Sequence, residues 1–414
     1  MGNENRTDPA ASKGALEGIR VLDWTQQIAA SAANLLAALG AEVIHIERLG
    51  SGDPIRGFKR WAGLDYQLPD GRNVLTEIFN RNKKSLAINL ELECAKKVVY
   101  QLVSKSDVFV TNFSKNRIDE FGLDYRTLQK HNSKIIYASA TLYGPKGPDC
   151  EMPGYDFLGQ ARSGLTSILG ENSDAVVPGP PNISDQITAM ALGYGIMTAL
   201  LTRERLGIGQ EVNVSQLGAM ISIVEETALG NLLFCGREQE RFVRSERRNP
   251  ISNCYKCKDG RWIFITMIND EHMHLLGNLI GMPDLSKDPR FSSIHSREEN
   301  RHALIAILDA AFSTKTADEW QEIARGYRAA LAVANRLEDL QTDPQVLANN
   351  YIIEYDHPVL GPTKYPGYPF HLNETPAACK SPAPEAGQHT EEILIDLCGY
   401  SWNDIEELQN AGAI

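Results

Sequence analysis

Residues 19–47 read IRVLDWTQQIAASAANLLAALGAEVIHIE, and this stretch decides the fold. Ile19 to Trp24 is short, apolar and β-branched, the composition of a buried strand. Ala29 to Leu39 is rich in strong helix formers and is stopped by Gly40. Glu42 to Glu47 alternates apolar positions and reads as a second strand. A strand, a helix and a second strand within thirty residues form a βαβ unit, which needs a right-handed crossover and a sheet covered by helices.

The pattern continues outward. After a loop to about Arg81, an amphipathic helix is expected over Leu92 to Ser104 and a third strand over Asp107 to Thr111. A helix over Tyr125 to His131 leads into a strand at Lys134 to Ser139. Residues 144–184 are rich in Gly, Pro, Asp and Ser, and so long a stretch inside a compact domain is usually functional. A helix from Gln186 to Arg205, a strand from Glu211 to Val214 and a helix from Ser215 to Leu233 follow. Beyond Arg237 the run REQERFVRSERR is charged, and Asn253 to Thr266 reads as a hairpin turning at Asp259-Gly260. Helices near 270–281, 297–313 and 317–327 complete a smaller α+β domain. The tail carries Pro344, Pro358, Pro362, Pro366, Pro369 and Pro376, so extended segments are expected there. The expected division is a flexible start at 1–14, a large domain over 15–233, a small one over 234–338, and a segment 339–414 returning to the large domain.

Length and composition bound the function. The chain has 414 residues, 43% hydrophobic and 23% charged, with 41 basic and 53 acidic side chains and a net charge of -12. That balance argues against nucleic acid and anionic membrane as partners. The longest apolar run, Met190 to Leu201, is broken by Gly193 and Gly195 and is too short to span a bilayer. The opening residues lack the features of a secretory signal. The 7 cysteines are scattered and odd in number, unlike a disulfide framework, which points to a reducing cytoplasm. Cys254 and Cys257 form a lone CxxC, read as two thiols flanking a hairpin rather than a zinc site. His272 and His274 stand two apart on a helix and face different ways, so no metal is expected there.

The first βα turn, Thr25 to Ala30, lacks GxGxxG, and GxxxxGK[ST], GxSxG and HExxH are all absent. Hydride transfer, P-loop chemistry, serine hydrolysis and zinc hydrolysis lack their signatures.

What remains resembles the family III CoA-transferases of the CaiB/BaiF type. The resemblance rests on Gly18-Ile-Arg-Val-Leu-Asp-Trp24, Leu39-Gly-Ala-Glu-Val-Ile-His-Ile-Glu-Arg48, Gly50-Ser-Gly-Asp-Pro54 and Phe79-Asn-Arg-Asn-Lys-Lys-Ser85. It continues through Val110-Thr-Asn-Phe113, Gly154-Tyr-Asp-Phe157, Ile183-Ser-Asp185, Gly209-Gln-Glu-Val-Asn-Val-Ser215 and Gly387-Gln-His-Thr-Glu391. It implies a Rossmann-like large domain built from both chain ends, a small domain, and two subunits interlocked like chain links. The partner is then a second copy or a homologous subunit in a heterodimer or heterotetramer.

Asp185 matches the family's catalytic aspartate. The resemblance implies that its carboxylate attacks an acyl-CoA thioester to give a mixed anhydride. CoA returns to form an aspartyl-CoA thioester, and the acceptor acid is activated through a second anhydride. A carboxylate suits this work because it is ionised at neutral pH without a base. The CoA thioester is a co-substrate, and no tightly bound cofactor is needed. From local pattern alone Asp185 reads as a helix N-cap, with Ser184 as competitor.

Gln26, Gln27 and Ala29 in the first βα turn, Arg48 after the second strand, Asn112 and Phe113 after the third, and Tyr155 match positions that lie near CoA in the family. Each has a plainer alternative: a solvated arginine, a polar turn residue, a core aromatic, an aromatic packed in a loop. Relatives that racemise 2-methylacyl-CoA esters carry histidine where Tyr155 stands, and tyrosine is a poor proton carrier at neutral pH, so transfer is favoured over racemisation. The chain departs from the family at Ala30-Ser31, where Gly-Pro is usual, at Glu120, where some relatives place arginine, and near Met267 to Glu271, where a glycine-rich loop is missing. The expected donor is succinyl-CoA and the expected acceptor benzylsuccinate or a similar aromatic acid. A non-catalytic partner subunit is the alternative.

Overall fold

The structure is a computed structural model that describes residues 13–61, 63–170 and 176–414. They form two compact units. One takes the chain up to Thr166, then Pro178–Glu238 and Ala348–Ile414; the other takes Ser167–Val177 and Gln239–Leu347. The segment 167–177, expected in the large domain, thus groups with the second unit, which begins at Gln239 and ends at Leu347. Of the expected flexible start, residues 1–12 lie outside the described residues. Gly14 is packed: a Cβ on Gly40 would stand 2.7 Å from its Cα.

The first unit is built along the chain from β1 (Arg20–Trp24), α1 (Ile28–Ala38), β2 (Glu42–Arg48), β3 (Lys83–Ile88), α2 (Glu93–Ser104), β4 (Val108–Thr111), α3 (Tyr125–His131), β5 (Ile136–Thr141), α4 (Asp156–Arg162), α5 (Ile183–Leu206), β6 (Glu211–Ser215) and α6 (Gln216–Val224). The six strands make one sheet in the order β3-β2-β1-β4-β5-β6, every pair parallel. This is the doubly wound α/β order, and it reverses between β1 and β4. On one face Ala29, Ala32, Ala33 and Leu36 of α1 pack with Leu192, Ile196 and Ala199 of α5. On the other, Val98, Val99 and Leu102 of α2 pack with Ile393, Leu394, Ile405 and Leu408 from the end of the chain. With both faces covered, the central strands are largely apolar, and the polar residues they bury have to be partnered.

β3 escaped the sequence reading because it opens with Lys83 and Lys84. Lys83 is nonetheless fully buried. Its Nζ lies 2.7 Å from Asp23 Oδ2, 3.1 Å from the Ala30 carbonyl and 3.0 Å from Asn80 Oδ1. His45, between them on β2, stands 3.1 Å from Asp23 Oδ2 and 3.3 Å from Asp53 Oδ2. Burial alone would lower the His45 pKa, but the adjacent Asp23 and Asp53 carboxylates outweigh it and push it up to about 10.

The tail differs from the expected extended wrap. Ile352–His357 and Gly361–Pro366 form an antiparallel hairpin, and helices cover 390–398 and 402–410. The Gly387-Gln-His-Thr-Glu391 motif runs along β3. The His389 amide donates to the Ser85 carbonyl, and Thr390 Oγ1 accepts from the Ala87 amide.

In the second unit β7 (Ser252–Lys256), β8 (Trp262–Thr266) and β9 (Leu331–Val333) form an antiparallel sheet ordered β9-β8-β7. The β7–β8 turn uses Gly260 at φ 82. Tyr255, Phe312 and Trp320 centre its core. Cys257 is buried and Cys254 half-buried. No described helix is long and apolar enough to cross a membrane.

Replacing Lys83 with methionine leaves the Asp23 charge buried beside His45 alone, and unfolding by urea should show a loss of about 3–5 kcal/mol. The stability His45 contributes as a cation is complete below pH ~6.5 and fades as the pH rises toward about 10. His45→Gln should flatten the stability–pH curve between those limits.

Candidate active site

In a parallel sheet every strand ends on the same edge, and loops at that edge form the ligand crevice. The residues singled out from sequence follow β1, β2, β4 and β5, and Gln216 follows β6. Residue 185 joins them because α5 runs back from that edge into β6.

Asn182 caps α5 in the left-handed region at φ 68, and the helix starts at Ile183. This corrects the cap reading of Asp185, whose side chain lies inside the first turn and makes no cap bond. Its Oδ1 accepts a hydrogen bond of 2.8 Å from Gln216 Nε2. Its backbone amide donates to Asp156 Oδ1 at 3.1 Å. Among the described residues nothing is hydrogen-bonded to Oδ2. Burial first, and the Asp156 carboxylate second, push the Asp185 carboxyl up to about 7. A carboxylate kept at this level is more basic and more nucleophilic than an exposed one, yet still ionises near neutrality.

Asp156 is itself buried, with Oδ2 accepting from Gln160 Nε2 at 2.5 Å. Gly154 and Gly159 leave the space this needs. A Cβ on Gly154 would fall 1.9 Å from Leu142 Cδ2, and one on Gly159 would fall 2.4 Å from Ser184 Oγ and 2.9 Å from Gln216 Oε1. Asp156 and Gln216 were missed in the sequence. Asp156 stood inside the quoted Gly154-Tyr-Asp-Phe157, where attention fell on the tyrosine, and Gln216 follows the last residue of Gly209-to-Ser215.

A cavity of about 730 Å³ opens beside this centre, lined by Asn112, Phe113, Gly154, Thr188 and Gln216 and by the uncovered faces of β5 and β6. Thr188 lies one turn beyond Asp185 on α5. Phe113 packs against Trp24 with ring centroids 4.3 Å apart and the rings tilted by 32°, so it is both core aromatic and cavity wall. Asn112 closes the gap between β1 and β4: its Oδ1 accepts from the Gln26 amide at 2.9 Å, and its Nδ2 donates to the Gln26 carbonyl at 2.6 Å.

The other predicted residues do not line this cavity. Gln27 takes a strained φ of 52 at the start of α1. Ala29, in the first turn of α1, is fully buried in the core. Arg48 is exposed at the end of β2, and Tyr155 is 75% exposed at the start of α4. The first turn of α1 approaches the start of α5, where Gln186 Nε2 donates to Ser31 Oγ at 3.2 Å. Among the described residues no cluster of three metal-ligating side chains is assembled.

Comparison with known proteins identifies the constellation. A family model described as CoA-transferase family III matches residues 16–390. The chain is 33% identical to a succinyl-CoA:glutarate CoA-transferase of Mus musculus, over 96% of this chain and 90% of that one. It is 30% identical to a cinnamoyl-CoA:phenyllactate CoA-transferase of Clostridium sporogenes, over 95% of each. Among solved structures, a CaiB/BaiF family protein from Brucella suis superposes with a TM-score of 0.79 at 26% identity, covering 93% of this chain and all of that one. The shared motifs, the doubly wound sheet and the buried aspartate at its carboxyl edge agree: this chain belongs to CoA-transferase family III.

Proposed function

We propose that the enzyme moves CoA from succinyl-CoA to a carboxylic acid through covalent intermediates on Asp185. One observation carries the reading: a buried carboxylate beside the cavity, one oxygen held by the cavity-lining Gln216 and the other without a hydrogen-bond partner among the described residues. Oδ2 attacks the thioester carbonyl and expels CoA thiolate, giving a mixed anhydride. The thiolate returns to the aspartyl carbon and releases succinate, leaving an aspartyl-CoA thioester. The acceptor carboxylate then takes the aspartyl group as a second anhydride, and CoA thiolate attacks its acyl carbon to complete the exchange. No proton changes hands in these steps, so the paired bases a racemase needs are not required, in keeping with an exposed tyrosine at 155.

Succinyl-CoA as donor draws support from the names of the mouse relative and of a succinyl-CoA–D-citramalate CoA-transferase from Chloroflexus aurantiacus that is 29% identical. For the acceptor we take benzylsuccinate or a similar aromatic acid, a choice that Phe113 and Tyr125 on the cavity wall favour. Among the charged residues of the lining, which also include Asp119, Asp124, Glu151 and Glu211, Arg126 and Lys115, the latter paired with Asp119, are the cations we assign to CoA phosphates. Gln26, Gln27, the Ala29 backbone, Arg48, Asn112, Phe113 and Tyr155 are taken as the CoA-facing set.

The subunit is read as one half of an interlocked pair, with a second copy or a homologous chain. In the isolated subunit Tyr194, Leu233 and Phe234 are 78%, 71% and 91% exposed, more apolar surface than a monomer usually leaves to water.

Incubation with succinyl-CoA and hydroxylamine should convert Asp185 to a hydroxamate detectable by peptide mass spectrometry. No hydroxamate would overturn the reading in favour of a supporting subunit. The trapping rate should climb as the pH rises through about 7 and then level off. Asp185→Asn should lose transfer by at least ~10³-fold. It should also melt higher than the native enzyme at pH 8, the gap narrowing as the pH falls from about 7 toward the unfolded-state pKa of ~3.9 and closing only below it, where Asp185 is protonated in both states. Leu233→Ser with Phe234→Ser should give a monomer by light scattering, and an unchanged assembly would count against the interlocked pair.

A further inference from the structure

We propose that the Gln216 side-chain amide is the oxyanion donor for the two steps in which the aspartyl carbon of residue 185 is attacked. This rests on the covalent route above and adds a residue that the motifs do not mark.

Gln216 is fixed where such a donor has to be. It is 2% exposed, its Nε2 lies 2.8 Å from Asp185 Oδ1, and it also lines the cavity. An ionised carboxylate only accepts hydrogen bonds, which sets the amide with its nitrogen toward Asp185. Its Oε1 is buried without a partner, so the side chain is held by shape and by this one bond. Gly159 forms part of that slot, since a Cβ there would meet both Gln216 Oε1 and Gln216 Cβ within about 3.0 Å.

The bond divides the labour of the two carboxylate oxygens. Oδ2 forms the new bond to the acyl carbon, and Oδ1 stays behind as the carbonyl oxygen of the anhydride. When CoA thiolate attacks, a sulfur–Cγ bond forms and the carbonyl pair moves onto Oδ1. Its collapse breaks the Cγ–Oδ2 bond, and Oδ2 leaves with the acid as a carboxylate. The negative charge on Oδ1 therefore appears within hydrogen-bond reach of Gln216 Nε2. The same oxygen carries the charge when the acceptor acid attacks the aspartyl-CoA thioester. In the other two steps the oxyanion sits on the substrate's own acyl oxygen, away from this amide. Removal of one such donor typically costs about 10²–10³ in rate.

The test follows the covalent adducts separately. Native enzyme mixed with succinyl-CoA is sampled by rapid quench and intact-protein mass spectrometry, which distinguishes a succinyl adduct from a CoA adduct. In Gln216→Leu the succinyl adduct should accumulate, and its conversion to the CoA adduct should slow by about 10²–10³-fold, while CoA release in the first step falls far less. Gln216→Met, of similar length and also lacking a donor, should behave alike and covers the case in which the leucine variant does not fold. A merely structural role would slow both steps together, and that result overturns the proposal, as does conversion at the native rate. If native enzyme forms no adduct at residue 185, the covalent route itself falls and this inference with it. An adduct on the native enzyme with an unaltered partition in the variants leaves the route standing and removes only Gln216.

Discussion

A carboxylate taken out of water needs compensation, and how it is compensated decides what it does. Two of the aspartates this fold buries show the contrast. Asp23 meets the Lys83 ammonium and the His45 imidazolium, and its pKa is driven far below the usual range despite complete burial. It is an anchor: permanently charged, fully partnered and chemically inert. Asp185 receives only a neutral amide from Gln216 and stands near the Asp156 carboxylate, and its pKa moves the other way. Its charge is tolerated rather than satisfied, and such a group gains by forming a covalent bond. The anchor and the nucleophile differ in partners far more than in burial.

The anchor also supports the place where the nucleophile works. Asp23 ends β1 beside the first βα turn, and Lys83 Nζ reaches the Ala30 carbonyl inside α1. That turn holds Gln27 in the left-handed region, and α1, which follows it, meets α5 through Ser31 and Gln186. The Ala30-Ser31 pair, a departure from the family's Gly-Pro, therefore supplies the hydroxyl that ties α1 to the turn carrying Asp185.

Much of this was legible in the sequence, for identifiable reasons. The β-branched runs at 20–24, 42–48 and 108–111 and the alanine-rich helix between the first two carry local signals that need no tertiary context. Lys83–Ile88 was missed because its first residue is a lysine whose burial makes sense only once Asp23 is opposite. The terminal helices were missed because the prolines before them dominate the composition, while Ile393, Leu394, Ile405 and Leu408 find their apolar partners hundreds of residues earlier. Asp185 was found through the motifs around it, since its own neighbourhood resembles a helix start; Asn182 holds that cap. Gln216 had no local signal at all. A glutamine becomes informative only when its amide is seen aimed at a particular oxygen.

The closing segment of the chain completes the sheet as well as the core. Ser85 and Ala87 lie on the outer edge strand, and His389 and Thr390 take up their backbone groups; the Asn89 amide donates to the carbonyl of Ala413. During synthesis that rim therefore stays bare until residues 389–413 have been made. At ordinary elongation rates the interval is on the order of tens of seconds. An unpaired parallel edge exposed for so long is a template for mispairing with other nascent chains. The late segment that seals the sheet in the folded unit thus leaves its edge strand open while the chain is being made.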